Sequence, residues 1–173
     1  TSQWDAVLHL GEDVPAMFES VKKLHVETVA ANVRSHGSIL RQLDHNRESN
    51  DGDDVLIPGA PDFLPTTANL EGLWSPVATN NSTVMFHRNA GSFFCNEAFF
   101  RTLYAVRAGN ITAASSAPSA TSPLMAVIFI HVPPAKAVPL SKAVQIVQSL
   151  AEGIVLPHGK SRPDRSSIAA GTK

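Results

Sequence analysis

Short β-branched apolar runs alternate along this chain with segments whose apolar residues recur at the spacing of an amphipathic helix. The clearest run is Met125–Ile130, which stops before Val132-Pro133-Pro134 and predicts a buried strand. Helices are predicted over Asn96–Val106 and Ser141–Glu152, and further strands over Ala6–Leu10, Leu24–Ala30 and Thr83–His87. Because helices that alternate with strands pack on the faces of a sheet, the pattern predicts a three-layer α/β/α sandwich with an open, twisted, mostly parallel sheet.

One domain accounts for most of the chain. Residues 1–157 are enough to bury a substantial core, and we expect them to form a single α/β domain. Within it, 35–54 is polar and 58–76 has scattered prolines, so both look irregular. The stretch 108–123 is almost pure Ala, Ser, Thr, Pro and Gly, which predicts a flexible insertion. The polar and basic residues 158–173 predict a disordered tail.

Charge and composition exclude several classes of partner. The formal net charge of −1 provides no positive surface for nucleic acid or an anionic membrane. The longest apolar run, Leu124–Ile130, is too short to span a bilayer, and Trp4–Leu10 carries Asp5 and His9, unlike a signal peptide. A single cysteine excludes an internal disulfide and suits a reducing compartment. We therefore expect a cytoplasmic protein with no nucleic-acid or membrane partner.

The segment most informative about chemistry is Asn89–Asn96, which contains the only cysteine, Cys95. A predicted strand ends near His87, a glycine-containing turn follows, and a helix is predicted to start at or just after Cys95. The first turn of a helix carries partial positive charge and free N–H groups, which favour a thiolate and can hold a tetrahedral oxyanion. Cys95 is therefore a candidate nucleophile. The alternative is a buried structural cysteine packed among the neighbouring phenylalanines.

Two further residues extend this candidate site. His131 follows the strand Met125–Ile130 at its carboxyl end, where open α/β sheets carry their sites. In a mainly parallel sheet Cys95 would lie at the same edge, so His131 could act as its base; the alternative is a histidine bonded to backbone. Glu27 lies in an apolar strand, where a carboxylate needs a partner, and a histidine that must be oriented is a suitable one. Its alternative is an edge-strand carboxylate that faces water.

Seven histidines raise the question of a metal site. His25, His36, His45 and His87 show none of the paired spacings typical of metal ligands, such as His-Glu-x-x-His. The sequence therefore predicts no metal and no other cofactor.

Three blocks, taken in order, resemble the type I pyroglutamyl peptidases (pyrrolidone carboxyl peptidases), a family of cytosolic cysteine peptidases. The first block is His9-Leu10-Gly11 together with Glu27-x-x-Ala30-x-Asn32. The second is the nucleophile segment Asn89-Ala90-Gly91-Ser92-Phe93-Phe94-Cys95-Asn96, and the third is the histidine segment Phe129-Ile130-His131-Val132-Pro133-Pro134. Together the blocks span most of residues 5–152.

The resemblance implies a site and a reaction. Cys95 would be the nucleophile, His131 the general base and acid, and Glu27 the carboxylate that orients His131. The implied reaction hydrolyses an N-terminal pyroglutamyl (5-oxoproline) residue from a peptide substrate through an acyl-enzyme, without a metal or an organic cofactor. Phe93 matches a position that packs on the ring, so Phe93 and the adjacent Phe94 are expected to bind substrate. For Phe93 the alternative is a core residue.

The chain also departs from the family pattern. Family members begin with a further segment that helps to line the ring pocket, so we expect such an N-terminal segment to be missing here. An arginine after the glutamate block assists the oxyanion in the family, and Arg34, Arg41 and Arg47 all remain candidates for this role. Two other functions stay open: a catalytically impaired homologue that acts as a binding module, and another α/β cysteine hydrolase such as an amidase.

Overall fold

The computed structural model describes residues 6–12, 23–35, 54–80, 82–88, 90–109 and 124–155. The strands are β1 (Ala6–Glu12), β2 (Leu24–Glu27), β3 (Val29–Ala31), β4 (Phe63–Pro65), β5 (Val84–His87) and β6 (Ala126–Val132). The helices are α1 (Leu70–Thr79), α2 (Phe94–Arg107) and α3 (Leu140–Val155). The tail predicted over 158–173, and the predicted insertion from residue 110 onward, lie outside the described residues.

A four-stranded sheet in the order β1-β6-β2-β5 forms the centre of the fold. β1 pairs with β6 in parallel and β2 pairs with β5 in parallel, whereas β2 and β6 are antiparallel. The sheet is therefore mixed but mostly parallel, and helices pack on both of its faces. The prediction of an α/β sandwich around an open, mostly parallel sheet is confirmed.

The directions of β5 and β6 correct one step of the sequence argument. From the sequence, Cys95 and His131 were expected at one edge of the sheet, because each follows a strand of a sheet predicted to be mainly parallel. β5 is parallel to β2, however, and β2 is antiparallel to β6, so the carboxyl ends of β5 and β6 point to opposite edges. The expectation of a shared edge is therefore wrong. Cys95 instead comes close to His131 because its thiol lies next to Gly11, the register partner of His131.

The first of two cores lies between the sheet and the helices α1 and α3. Alternate strand residues point into it, and the fully or almost fully buried ones are Leu24, Val26, Val84, Ile128 and Ile130. The two helices approach very closely, because a Cβ added at Gly72 would lie 2.9 Å from the carbonyl oxygen of Gly153. This contact explains why Gly153, predicted to end the last helix, lies inside α3.

The second core lies on the opposite face of the sheet, beneath α2. It joins Val127 and Phe129 of β6 to the apolar face of α2, which comprises Phe99, Phe100, Leu103 and Val106. Helices thus cover both faces, which makes the sandwich three-layered. Among the helices in the described ranges, none is long and apolar enough to cross a membrane.

The predicted strand Leu24–Ala30 is divided in two at Thr28. The Thr28 backbone N–H and its hydroxyl both donate to the carbonyl of His87, at 2.8 and 2.9 Å, while the Thr28 carbonyl accepts from the N–H of Thr66. The chain therefore leaves the main sheet here, and β3 pairs antiparallel with β4 in a separate two-stranded sheet. The segment 58–76, which looked irregular, contains β4 and most of α1.

Candidate active site

The period of two along each strand brings titratable side chains to the sheet face that α2 partly covers. His25 and Glu27 lie two residues apart on β2, and the register pairs His25 with His131 and Glu27 with Phe129. On the other side of β2, Glu27 pairs with His87 of β5. Three histidines and one carboxylate are therefore neighbours across three strands.

Glu27 is the centre of this group. Its side chain is only 1% exposed, and His131 donates from Nδ1 to Glu27 Oε1 at 2.8 Å. A buried carboxylate is unfavourable unless it is paired and hydrogen-bonded, and His131 satisfies that need. Glu27 is thus not a carboxylate that faces water, and it holds the imidazole of His131 in one orientation.

A second histidine binds the same carboxylate. His87 donates from Nδ1 to Glu27 Oε2 at 2.9 Å, and the ring of His25 stacks on that of His87 with 4.7 Å between centroids. From the sequence, His87 was considered only as a possible metal ligand and was not connected with Glu27. No spacing along the chain could have indicated this contact, because the pairing of β2 with β5 creates it.

Cys95 lies in the first turn of α2, which begins at Phe94, slightly earlier than predicted. Its Sγ atom comes so close to β1 that a Cβ added at Gly11 would lie 3.0 Å from it. The same Cβ would lie 2.8 Å from the ring of Phe129, so only glycine fits at this position. Gly11 pairs with His131 in the β1–β6 register, which brings the thiol close to the imidazole.

The environment of His131 strongly affects its protonation. Burial lowers the pKa of His131, but hydrogen bonds to Cys95 and Glu27 and the negative charges of both groups outweigh this effect and raise the pKa to about 9. With Nδ1 bonded to Glu27, Nε2 is the nitrogen left for Cys95. The arrangement therefore favours the protonated form of His131 at neutral pH.

Two asparagines anchor the segments that carry these groups. Asn96, fully buried beside Cys95, accepts from the N–H of Ala31 at 2.8 Å and donates to the carbonyls of Ala31 and Val33 at 2.9 and 2.8 Å. Asn32 similarly accepts from the N–H of Ile57 and donates to its carbonyl, both at 2.9 Å. Neither residue had a predicted role, although both lie in the blocks that resemble the family.

The two aromatic side chains that precede Cys95 differ in their exposure to solvent. Phe93, the N-cap residue of α2, is half-buried, whereas Phe94 is 58% exposed and lies under the Arg34 guanidinium, 4.9 Å from ring centroid to Cζ. Arg34 also pairs with Glu97 at 3.3 Å. The other candidate arginines, Arg41 and Arg47, lie outside the described residues.

A surface cavity lies at the carboxyl ends of β1 and β6. Its volume is about 280 Å³, and it is lined by residues 10–12 and 132–135. Gly11 forms part of this lining, and Gly11 is also the residue that contacts the thiol of Cys95. The cavity therefore adjoins the group of reactive side chains.

Comparison with solved structures defines the architecture. The pyrrolidone carboxyl peptidase of Thermus thermophilus aligns with a TM-score of 0.57 and 25% identity over 86% of this chain. The chain shares the fold of the pyrrolidone carboxyl peptidases. The enzyme from Thermococcus litoralis aligns with a TM-score of 0.59 and 18% identity over 87% of the chain. Pyroglutamyl peptidase I of Bacillus amyloliquefaciens aligns with a TM-score of 0.58 and 15% identity over 88%.

The resemblance to pyrrolidone carboxyl peptidases predicted from the three sequence blocks is confirmed by these alignments. The chain spans about two thirds of those peptidases, namely 69% of the Thermus chain and 66% of the Thermococcus chain. No family model and no curated protein matches the sequence. The likeness therefore rests on the fold and on short blocks separated by dissimilar segments.

Proposed function

We propose that this chain is a cysteine exopeptidase that removes an N-terminal pyroglutamyl residue from peptides. The observation that carries the proposal is the series of contacts from Glu27 through His131 to Cys95. This series occurs in a fold shared with pyrrolidone carboxyl peptidases, which supports a peptidase of that kind. We further propose a cytoplasmic location, because a single thiol nucleophile remains reduced there.

The reaction begins with the thiolate of Cys95. Its sulfur attacks the carbonyl carbon that joins the pyroglutamyl ring to the next residue, and the carbonyl π electrons move to oxygen. Free N–H groups in the first turn of α2 stabilise that oxyanion. His131 then donates the proton on Nε2 to the leaving nitrogen, the C–N bond breaks, and a thioester of Cys95 remains.

Hydrolysis of the thioester reverses the roles of the same groups. The imidazole of His131, now neutral, removes a proton from water, and the resulting hydroxide attacks the thioester carbonyl. The C–S bond breaks, pyroglutamate leaves, and the thiolate–imidazolium pair is restored. Throughout the cycle Glu27 fixes the tautomer of His131 and stabilises its charged form.

Phe93 and Phe94 are the proposed contacts for the pyroglutamyl ring. Both precede the nucleophile directly, and the exposed ring of Phe94 offers an apolar surface next to the first turn of α2. The carbon atoms of the compact substrate ring gain from burial against aromatic side chains, whereas its lactam N–H and carbonyl need hydrogen-bond partners.

The test is turnover of a chromogenic pyroglutamyl amide by the full chain under reducing conditions. A prolyl amide with the same leaving group is the control, because it keeps the five-membered ring but has a protonated secondary amine in place of the lactam amide. Cleavage of the first substrate alone supports the proposal, and loss of that cleavage after alkylation by iodoacetamide supports a thiol nucleophile. Binding of a pyroglutamyl peptide without turnover would instead indicate a binding module. Equal cleavage of both amides would indicate a broader amidase.

A further inference from the structure

We propose that His25, Glu27 and His87 form a binding site for a divalent transition-metal ion such as Zn²⁺. One donor atom from each residue lies within 4.8 Å of the others. Two imidazoles and one carboxylate are the ligand set of zinc sites that keep a position open for water. Nitrogen donors favour Zn²⁺, Co²⁺ or Ni²⁺ over Mg²⁺ and Ca²⁺, which prefer oxygen donors.

The sheet provides the rigidity that such a site needs. His25 and Glu27 are two residues apart on β2 and therefore point to the same face. His87 is the register partner of Glu27 on β5. All three ligands thus belong to hydrogen-bonded strands and not to loops, so little conformational entropy is lost when an ion binds.

The present hydrogen bond between His87 and Glu27 approximates the geometry of two ligands on one ion. Its Nδ1–Oε2 distance is 2.9 Å, whereas two ligands of a tetrahedral Zn²⁺ lie roughly 3.3 Å apart, given bonds of about 2.0–2.1 Å. A small separation of the two side chains would admit the ion. Nδ1 of His87 would release its proton to solvent, because only a neutral imidazole binds metal.

Burial and access also fit an ion at this position. Glu27 and His25 are buried, at 1% and 6% exposure, so the cation would compensate a carboxylate that lies out of water. The His87 side chain is 25% exposed, which gives the ion a route from solvent. Because the ligands come from neighbouring strands, their spacing along the chain resembles no metal-binding motif.

An ion at this site would affect the proposed catalytic group, and this consequence rests on the proposed function. Glu27 Oε1 accepts from His131 at 2.8 Å, and His87 Nδ1 is closer to Oε2, at 2.9 Å, than to Oε1, at 3.2 Å. A cation on Oε2 would draw negative charge from the carboxylate and weaken its hold on the imidazolium of His131. We therefore expect transition metals to inhibit the peptidase reversibly through Glu27, without a bond to Cys95.

The binding test uses the Cys95→Ser chain, which lacks the other strong metal ligand near His131. Isothermal titration with Zn²⁺ is expected to show one ion per chain, with a similar affinity in the parent chain. Added to the Cys95→Ser chain, His87→Phe keeps a ring to stack on His25 and removes both nitrogens. The affinity for Zn²⁺ should therefore fall by roughly 100-fold or more. His9→Phe is the matched control, because His9 stacks on Phe129 on the same sheet face but lies outside the cluster. Its affinity should equal that of Cys95→Ser.

Three results would overturn the site. One is the absence of Zn²⁺ binding in both the parent chain and Cys95→Ser. Another is binding by the parent that disappears in Cys95→Ser, which would locate the ion at the thiol. The third is equal affinity in His87→Phe and Cys95→Ser. Circular dichroism of each variant establishes that it is folded. A Co²⁺ spectrum of the parent adds a measurement without substitution, and a thiolate-to-cobalt charge-transfer band would also contradict the proposal.

Inhibition is measured separately, so that the metal site and the peptidase can fail independently. Zn²⁺ should inhibit turnover of the pyroglutamyl amide, a chelator should restore it, and His87→Phe should require a higher Zn²⁺ concentration for the same fractional inhibition. Absence of turnover would contradict the proposed function and leave the titrations valid. Equal Zn²⁺ sensitivity of parent and His87→Phe would contradict the role of the site in inhibition.

Discussion

Along β2, Leu24 and Val26 point into the core beneath α1 and α3, whereas His25 and Glu27 point to the opposite face. β6 shows the same contrast, since Ile128 and Ile130 belong to that core while Phe129 and His131 alternate with them. In β2 and β6, the side chains on one face of the sheet thus form an apolar core. The other combines an apolar half under α2 with a group of titratable side chains.

Within a single strand, side chains that stabilise the fold therefore alternate with side chains of the proposed site. Apolar side chains on the first face stabilise the fold in proportion to the area they bury. The buried carboxylate and imidazoles on the second face are unfavourable to desolvate and persist because each has a partner. Substitutions on the two faces should therefore have different consequences, even when the residues are adjacent in sequence.

The largest effect is expected at Cys95, the proposed nucleophile, in the first turn of α2. Cys95→Ser replaces the thiol with a hydroxyl that is far harder to deprotonate, so kcat/KM should fall by at least ~10⁴-fold. The melting temperature should stay close to that of the parent chain, because the side chains are similar in size. Turnover near the parent level would remove Cys95 from the nucleophile role.

Glu27→Gln tests the carboxylate at the centre of the face that carries the titratable side chains. A glutamine replaces one of the two acceptor oxygens with an NH₂ group, so His131 and His87 can no longer each donate to an oxygen of their own. It also loses the charge that stabilises imidazolium, and the rate should fall by about 10³–10⁴-fold by analogy with other triads. A kcat within a few-fold of the parent would reduce the site to a Cys95–His131 pair.

Ile128→Ala tests the apolar face. Ile128 is fully buried in the core beneath α1 and α3, and truncation of such a residue costs about 2–5 kcal/mol of unfolding free energy. Well below the lowered melting temperature, kcat should change by no more than a few-fold, in contrast to Glu27→Gln. If Ile128→Ala instead lowered kcat as strongly as Glu27→Gln, the two faces would not be separable.

Asn96→Ala tests the hydrogen bonds that join α2 to Ala31 and Val33. The substitution leaves the N–H of Ala31 and the carbonyls of Ala31 and Val33 without their side-chain partner, at a cost of about 1–3 kcal/mol. Asn96→Asp is the comparison, because it can still accept from Ala31 but cannot donate. Denaturant unfolding should rank the parent above Asn96→Asp and Asn96→Ala. Equal midpoints for all three chains would contradict the anchoring role.

The last prediction is a pH dependence of stability that originates at His131. Its pKa is raised to about 9 in the folded chain and is about 6.5 in the unfolded chain. Between these values the folded state binds more protons, so its stability is complete below pH ~6.5 and declines towards pH ~9, by at most about 1.4 kcal/mol per pH unit. Unfolding measured with a chelator present should show this slope, and His131→Asn should reduce it. A flat profile in the parent would contradict the shift.

The sequence predicted most of the strands and helices because their residues repeat with a clear period. β6, α2 and α3 are examples, and each was predicted within a few residues of its ends. α1 was missed, since Gly72 and Pro76 interrupt its pattern. That helix is instead specified by the Asn69 cap and by tertiary packing of Gly72 on Gly153.

The candidate site was predicted for the residues that carry recognisable chemistry at strand and helix ends. Cys95 and His131 were chosen in this way, and Glu27 was chosen as a carboxylate inside an apolar strand; the fold brings the three together, and their roles remain predictions. His87 and Asn96 were missed, because their importance arises from strand pairing and from contacts with β3 that no local spacing reveals. The direction of β2 relative to β6 was missed for the same reason.

The strand order has a consequence for the growing chain on the ribosome. β6 lies between β1 and β2, although it follows every other described strand in the sequence. Within the described sheet β1 pairs with β6 alone, so β1 must wait for residues 126–132 to be synthesised before it gains a partner. Glu27 and Cys95 leave the exit tunnel well before His131. A nascent chain therefore presents a thiol without its base, and if the proposed function is correct, it gains peptidase activity only when the central strand closes the sheet.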